Sequence, residues 1–390
     1  MWVVFVLFLI LVFYGIWEFR MHQYHLSRLS VRIHINGSRG KSSVTRLVTG
    51  GLRAGGFKVF GKTTGTKPRM LFVDGSEVPV HRVGKANIIE QVRIVSRAAE
   101  QRPEFFVTEC MGVQPHLQDL LERQFIRSNI GVITNVRPDH LDVMGPTMYD
   151  VANSLSTTIP KEGHLFTNES DYIGVFRERA ERLNTEVHEI SQEDITDSEM
   201  RGFSYFEHKE NVALALSVCL HFGVGRDEAF DGMYKMEPDP GVLRRYSLQM
   251  QDKSIEFVNA FAANDPDSFL MIWEQLRIHH EPGKTLIVLV NSRKDRIQRA
   301  EQLGEFIATR LDADYYVVTG EYTKPLVAKA ISSGMPHTKI EDLGGRSIEA
   351  IFNTILRLAT ESALVFGIGN IVGFGEEIVR VFQERGQEIV

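Results

Sequence analysis

Asn36-Gly37-Ser38-Arg39-Gly40-Lys41-Ser42-Ser43 follows the segment Val31-Arg32-Ile33-His34-Ile35, whose apolar and polar residues alternate as in a strand. After it, Val44, Leu47, Val48 and Leu52 recur at helical spacing before the turn residues Gly55 and Gly56. Strand, glycine loop and helix in this order make a phosphate cradle. Gly37 and Gly40 let backbone N–H groups of the loop, which also holds Ser38, Arg39 and Ser43, face phosphate oxygens at a helix N-terminus. Lys41 reaches the terminal phosphates, and the Ser42 hydroxyl can ligate Mg²⁺. Position 35 is Ile, so the loop is the short form G-x-x-G-K-S.

Further along, apolar runs end in polar clusters. Val59-Phe60 leads into Gly61-Lys62-Thr63-Thr64-Gly65-Thr66, and Phe105-Phe106-Val107 ends at Thr108-Glu109-Cys110-Met111-Gly112. A carboxylate at the C-terminal end of a central strand lies where doubly wound sheets bind ligands, so Glu109 can hold Mg²⁺ beside Ser42. Asn129 to Asn135 reads as another buried strand, followed by Asp139, His140 and Asp142. Three such side chains are poor core filler. His208-Lys209-Glu210-Asn211 opens a helical pattern carrying Val212, Leu216 and Leu220, with Asn211 placed as an N-cap or a ligand contact.

Glu237-Pro238-Asp239-Pro240-Gly241 then breaks the chain, which sets a domain boundary near residue 242. Strands at 255–258, 286–291, 315–319 and 364–367 alternate with helical patterns, predicting a second parallel sheet. The glycine run from Gly367 to Gly375 has the spacing G-x-G-x-x-x-G in the last strand, with too little chain beyond it for an acidic ribose ligand. Close packing of the final helix accounts for it.

The 390 residues give room for two or three domains, and 43% apolar with 24% charged residues is an ordinary globular balance. A net charge of -6 leaves no footprint for nonspecific nucleic-acid binding. Two cysteines, Cys110 and Cys219, are too few for a disulfide framework or a cysteine zinc site. Residues 2–17 carry no charge and, with Phe19, reach about 24 to 28 Å as a helix, near the roughly 30 Å of a hydrocarbon core. With no basic residue before the run and no A-x-A-like site after it, it reads as an anchor. Arg20, His22, His25 and Arg28 lie only on its C-terminal side, placing the rest of the chain in the cytoplasm.

The short loop G-S-R-G-K-S, the strand-end Glu109 and the run N-V-x-x-D-H-x-D resemble, in that order, the motifs of the Mur ligase superfamily, which includes peptidoglycan precursor ligases and folylpolyglutamate synthetases. The resemblance implies an α/β fold: a P-loop Mur-ligase-like central ATPase domain, residues 20–242, and a smaller C-terminal α/β ligase domain, residues 243–390, behind one N-terminal transmembrane helix, residues 1–19. It implies ATP and Mg²⁺ as cofactors, with Ser42 and Glu109 on one metal and His140 on a second. Lys41, Glu109 and His140 are the implied catalytic groups. Asn211 matches an adenine-contacting asparagine, Arg244 a hinge arginine, and Asp295 and Arg296 a G-x-x-D-R element after the strand at 286–291. Lys62 and Thr66 match a substrate-facing loop, and Asn264 and Asp265 match part of a D-Y-A-H-N-P-D-S element whose histidine falls on Ala263. Where relatives carry a carbamylated lysine, this chain reads Ala152-Asn153-Ser154-Leu155, so none is expected.

No UDP-binding domain precedes the P-loop, which departs from the murein ligase layout. The set resembles instead the membrane-anchored branch that polymerises glutamate through γ-carboxyl linkages by an acyl phosphate. That implies glutamate and the poly-γ-glutamate chain as substrates, and Lys67 and Arg69 beside Lys62 as cations for an anionic polymer. It also implies a homo-oligomer at the cell membrane, with other membrane subunits for synthesis and export. The competing reading is a membrane-anchored P-loop ATPase that powers assembly or export without ligation.

Overall fold

The computed structural model describes residues 2–390 apart from 66–67, 83–85, 204, 206, 239–243, 262–268, 271, 275, 277–282, 294–296, 372 and 390. It divides into two compact units, residues 1–239 and 240–390. The boundary expected near residue 242 lies outside the described residues, as do Thr66, Lys67, Asn264, Asp265, Asp295 and Arg296.

The first unit is built on eight strands: β1 (Val31–Asn36), β2 (Val59–Lys62), β3 (Arg69–Leu71), β4 (Glu77–Pro79), β5 (Phe105–Glu109), β6 (Ile130–Ile133), β7 (His164–Thr167) and β8 (Glu186–Glu189). Their order is β4-β3-β2-β5-β1-β6-β7-β8. The strands from β2 to β8 in this order run parallel, while β3 and β4 pair antiparallel at the edge. Strand side chains alternate between faces. Ile33, Ile35 and Val107 therefore meet Val44, Leu47, Val48 and Leu52 of the helix Lys41–Ala54, whereas Phe106 faces Ile94, Val95 and Ala98 of the helix Glu90–Gln101. Burying each such aliphatic side chain stabilises the unit by about 1.5–3 kcal/mol. Both faces are thus covered, the condition under which parallel sheets persist.

The helix at the N-terminus runs unbroken from Trp2 to Ser27, past the expected anchor end at residue 19. Its first turns are exposed, and its length, with an 18-residue stretch of mean hydropathy 2.3, makes it the one described helix apolar and long enough to cross a membrane. The last turns are held by the folded unit: Leu26 is buried, and the buried His22 ring lies with Nε2 3.0 Å from the Phe125 carbonyl.

The second unit holds β9 (Arg244–Met250), β10 (Lys253–Asn259), β11 (Thr285–Ser292), β12 (Tyr315–Gly320), β13 (Ile340–Asp342), β14 (Ser362–Gly369) and β15 (Gln387–Ile389), ordered β13-β12-β11-β14-β10-β9-β15. This corrects the expectation of a parallel sheet. The strands from β13 to β10 are parallel, but β9 and β10 form an antiparallel hairpin and β15 runs antiparallel to β9. The hairpin turns on Gln251 and Asp252, both at positive φ (50° and 63°), the backbone of a two-residue turn that usually announces itself with glycine. In the glycine run, a Cβ on Gly375 would stand 2.4 Å from the Asn370 carbonyl oxygen, in keeping with the packing explanation.

Candidate active site

Three strand ends of the first unit converge. Register pairs Ile35 of β1 with Glu109 of β5, and Asn36 with Ile133 of β6, so the P-loop, Glu109 and Thr134-Asn135 leave the sheet side by side. Here the chain turns from one side of β1 to the other, the crevice position at which open α/β sheets hold ligands.

The loop is strapped down from β6. Ser38 N–H donates to the Asn135 carbonyl at 3.0 Å, Arg39 N–H to Asn135 Oδ1 at 3.0 Å, and the Thr134 hydroxyl to the Arg39 carbonyl. Gly40, at φ 81°, turns the chain into the helix Lys41–Ala54. A Cβ there would stand 2.3 Å from Asn211 Oδ1, so both the backbone angle and the neighbour require glycine. Lys41 Nζ donates to the Gly37 and Ser38 carbonyls and lies against its own loop.

Ser42 Oγ donates to Glu109 Oε2 at 2.8 Å, and Thr64 N–H donates to the same oxygen at 2.6 Å. The Glu109 residue is only 3% exposed. A hydroxyl and a carboxylate oxygen in contact are a hard-oxygen donor pair of the type a divalent cation takes. His140 is exposed, at φ 45°, with Nε2 3.8 Å from Asp139 Oδ1, and the same oxygen lies 3.5 Å from Arg39 Nη2. The structure thus brings His140 near the P-loop, with Asp139 between it and Arg39; Asp142 is exposed.

Asn211 is not the N-cap of its helix. His208 is, and Asn211 sits buried in the first turn of Lys209–His221, its Nδ2 donating to Glu207 Oε1 at 2.8 Å. Glu207, which sequence reasoning missed, is a buried carboxyl behind the P-loop; burial pushes its pKa up against hydrogen bonds from Asn211, the His208 N–H and Ser43. Its place just before His208 was the available signal.

Lys62 is wholly buried on β2, its ammonium 3.1 Å from Glu90 Oε1 and donating to Thr64 Oγ1 at 2.8 Å. Burial lowers its pKa, against the pull of Glu90. It braces the Thr64 turn that reaches Glu109 rather than meeting solvent as a substrate-facing lysine does. Arg69 is half-buried, its Nε 3.6 Å from Glu77 Oε1. In the second unit Arg244 begins β9 opposite Asn259, the last residue of β10. Ala152 and Leu155 are buried in the helix Met148–Ser156.

A Mur ligase middle domain model matches residues 35–222, and a model described as the poly-gamma-glutamate synthase CapB C-terminal domain matches residues 245–385. The chain is 40% identical over 376 residues to the capsule biosynthesis protein CapB of Bacillus anthracis, covering 96% of this chain and 81% of that protein. It is 37% identical over 386 residues to the PGA synthase CapB of Bacillus subtilis strain 168, covering 98% of each. Among solved structures it resembles E. coli FolC in complex with ADP, with a TM-score of 0.69 at 13% identity over 94% of this chain and 93% of that one. That likeness is one of fold.

Proposed function

Because the chain belongs to the CapB family of Mur-type ligases, we propose that it joins glutamate residues through γ-carboxyl linkages at the expense of ATP, making poly-γ-glutamate for a capsule or for secretion. The contact of Ser42 with Glu109 at the mouth of the P-loop carries this reading at the level of chemistry, since it sets a metal-type donor pair beside Lys41. The match at residues 245–385 favours a ligase over an ATPase that forms no bond.

In the proposed reaction a glutamate carboxylate oxygen attacks the γ-phosphorus of ATP and ADP leaves. The amino group of a second glutamate then attacks the acyl carbon, an amide forms and phosphate leaves. Loop N–H groups and Lys41 bind and neutralise the phosphates; Ser42 and Glu109 would hold Mg²⁺, and His140 a second cation. Bound there, the metal supplies charge neutralisation on the phosphates. Asn211, braced by Glu207, supports the adenine side. Arg244, Asp295 and Arg296 from the C-terminal domain are assigned to the nucleotide, and Thr66, Lys67, Arg69, Asn264 and Asp265 to the anionic substrate.

The division into an anchor at 1–19, an ATP-binding domain at 20–242 and a ligase domain at 243–390 belongs to the same proposal. So does attachment to the cell membrane through the N-terminal helix, catalytic domains in the cytoplasm, as a homo-oligomer beside membrane subunits that export the polymer. One apolar helix with a one-sided basic flank supports that placement. Membranes carrying the protein should release ADP at least about tenfold faster when glutamate is added. ADP release indifferent to glutamate would instead describe a bare ATPase.

A further inference from the structure

His164, His188 and His221 are separated by 24 and 33 positions in the sequence, yet one ring nitrogen of each lies within 4.8 Å of the other two. Period-two alternation puts them together. His164 and Phe166 share one face of β7, and Glu186 and His188 share the same face of β8, paired in register His164 with Glu186 and Phe166 with His188. The helix Lys209–His221 packs on that face and delivers His221 in its last turn. His164 Nδ1 is 3.0 Å from His188 Nε2, and the His188 ring stacks on Phe166 at 4.5 Å between centroids.

Carboxylate oxygens of Glu186 lie 3.4 Å from His164 Nδ1 and 3.7 Å from His188 Nε2. Two imidazole nitrogens on one zinc ion stand about 3.4 Å apart, from Zn–N bonds of about 2.0–2.1 Å in a tetrahedron. The cluster is therefore within a small rotamer adjustment of a coordination sphere. We propose that His164, His188 and His221, with Glu186 as the fourth donor, form a binding site for a transition-metal ion of the zinc class.

Two further features fit. The C-terminal end of a thirteen-residue helix favours a cation. A cleft lined by Glu162, Glu181 and Glu186 opens beside His164 and gives a cation an acidic approach.

The site is separate from the P-loop. His164 pairs with Ile130 at the start of β6, whereas the P-loop leaves β1 after Asn36, which pairs with Ile133 at the other end. A metal here ties the edge strand β8, its neighbour β7 and the helix Lys209–His221 together. Because that helix also carries Asn211 against Gly40, the ion braces the back of the P-loop from the far end of the helix.

The test is a zinc titration of the full-length chain in detergent after chelator stripping, with a competing indicator, alongside melting curves. The Glu109→Ala variant is titrated in parallel, so that metal bound beside Ser42 is counted separately. Wild-type and Glu109→Ala protein should both bind zinc at this site and melt at a higher temperature with it. His221→Gln, at an exposed helix end, should leave the zinc-free melting temperature unchanged and weaken binding at least about tenfold. His188→Gln should weaken it likewise, and Cu²⁺ in place of zinc should show imidazole nitrogen couplings in its electron paramagnetic resonance spectrum. Unchanged zinc affinity in both histidine variants, or binding lost only in Glu109→Ala, would overturn the proposal.

Discussion

Alanine in place of Glu109 or Lys41 is expected to lower glutamate-dependent ligation by at least about 10²- to 10³-fold, the loss seen when one preorganised charge-stabilising group is removed. The two substitutions act differently. Glu109 accepts from Ser42 Oγ and Thr64 N–H through one oxygen, so its removal leaves both donors without that acceptor, costing about 1–3 kcal/mol of stability, and deprives a cation of its only anionic ligand in this pair. Among the described residues the Lys41 ammonium bonds to carbonyls of its own loop alone, and its truncation should leave stability nearly unchanged while weakening hold on the phosphates. Polymer yield from membranes, with a melting curve for each variant, checks both. Near-normal yield from either folded variant contradicts the assignment of the nucleotide site.

Glu122→Ala is expected to destabilise the first unit by about 3–5 kcal/mol, the cost of breaking a buried ion pair from one side. His34 lies on β1 two residues before Asn36, and its Nδ1 is 2.8 Å from Glu122 Oε2; the other Glu122 oxygen accepts from Ser128 N–H and Oγ. Burial alone would lower the His34 pKa, but the neighbouring Cys110 side chain and the Glu122 carboxylate outweigh it and push it up to about 10. A group whose pKa is raised on folding stabilises fully below its unfolded value, near 6.5, and the contribution is lost as pH rises through the folded value. Wild-type stability from urea unfolding should therefore fall between about pH 6.5 and 10. Glu122→Ala should flatten that slope; an equal slope in both proteins contradicts the account.

The parts of this molecule legible in the sequence are those written in consecutive residues. The P-loop could be read because strand, glycine turn, lysine and helix adjoin, and the ends of β5 and β6 because apolar runs stop at Glu109 and at the segment leading to Asp139 and His140. Pairings between distant segments were not legible. Nothing local says that Lys62 turns inward to Glu90, since burying a lysine depends on a partner 28 positions away. The hairpin between β9 and β10 was hidden because its turn uses Gln251 and Asp252 in a conformation glycine normally supplies. Asn211 was found by resemblance, but its anchor Glu207 and its seat against Gly40 are products of helix packing.

The most direct test of ligation through an activated carboxylate follows oxygen. Glutamate labelled with ¹⁸O in its γ-carboxylate is supplied with ATP to membranes carrying the protein, and the released phosphate is analysed by mass spectrometry. Attack of the carboxylate on the γ-phosphorus predicts one ¹⁸O atom in phosphate for every γ-linked amide formed. Amide formation with unlabelled phosphate, or phosphate release without amide, would contradict it.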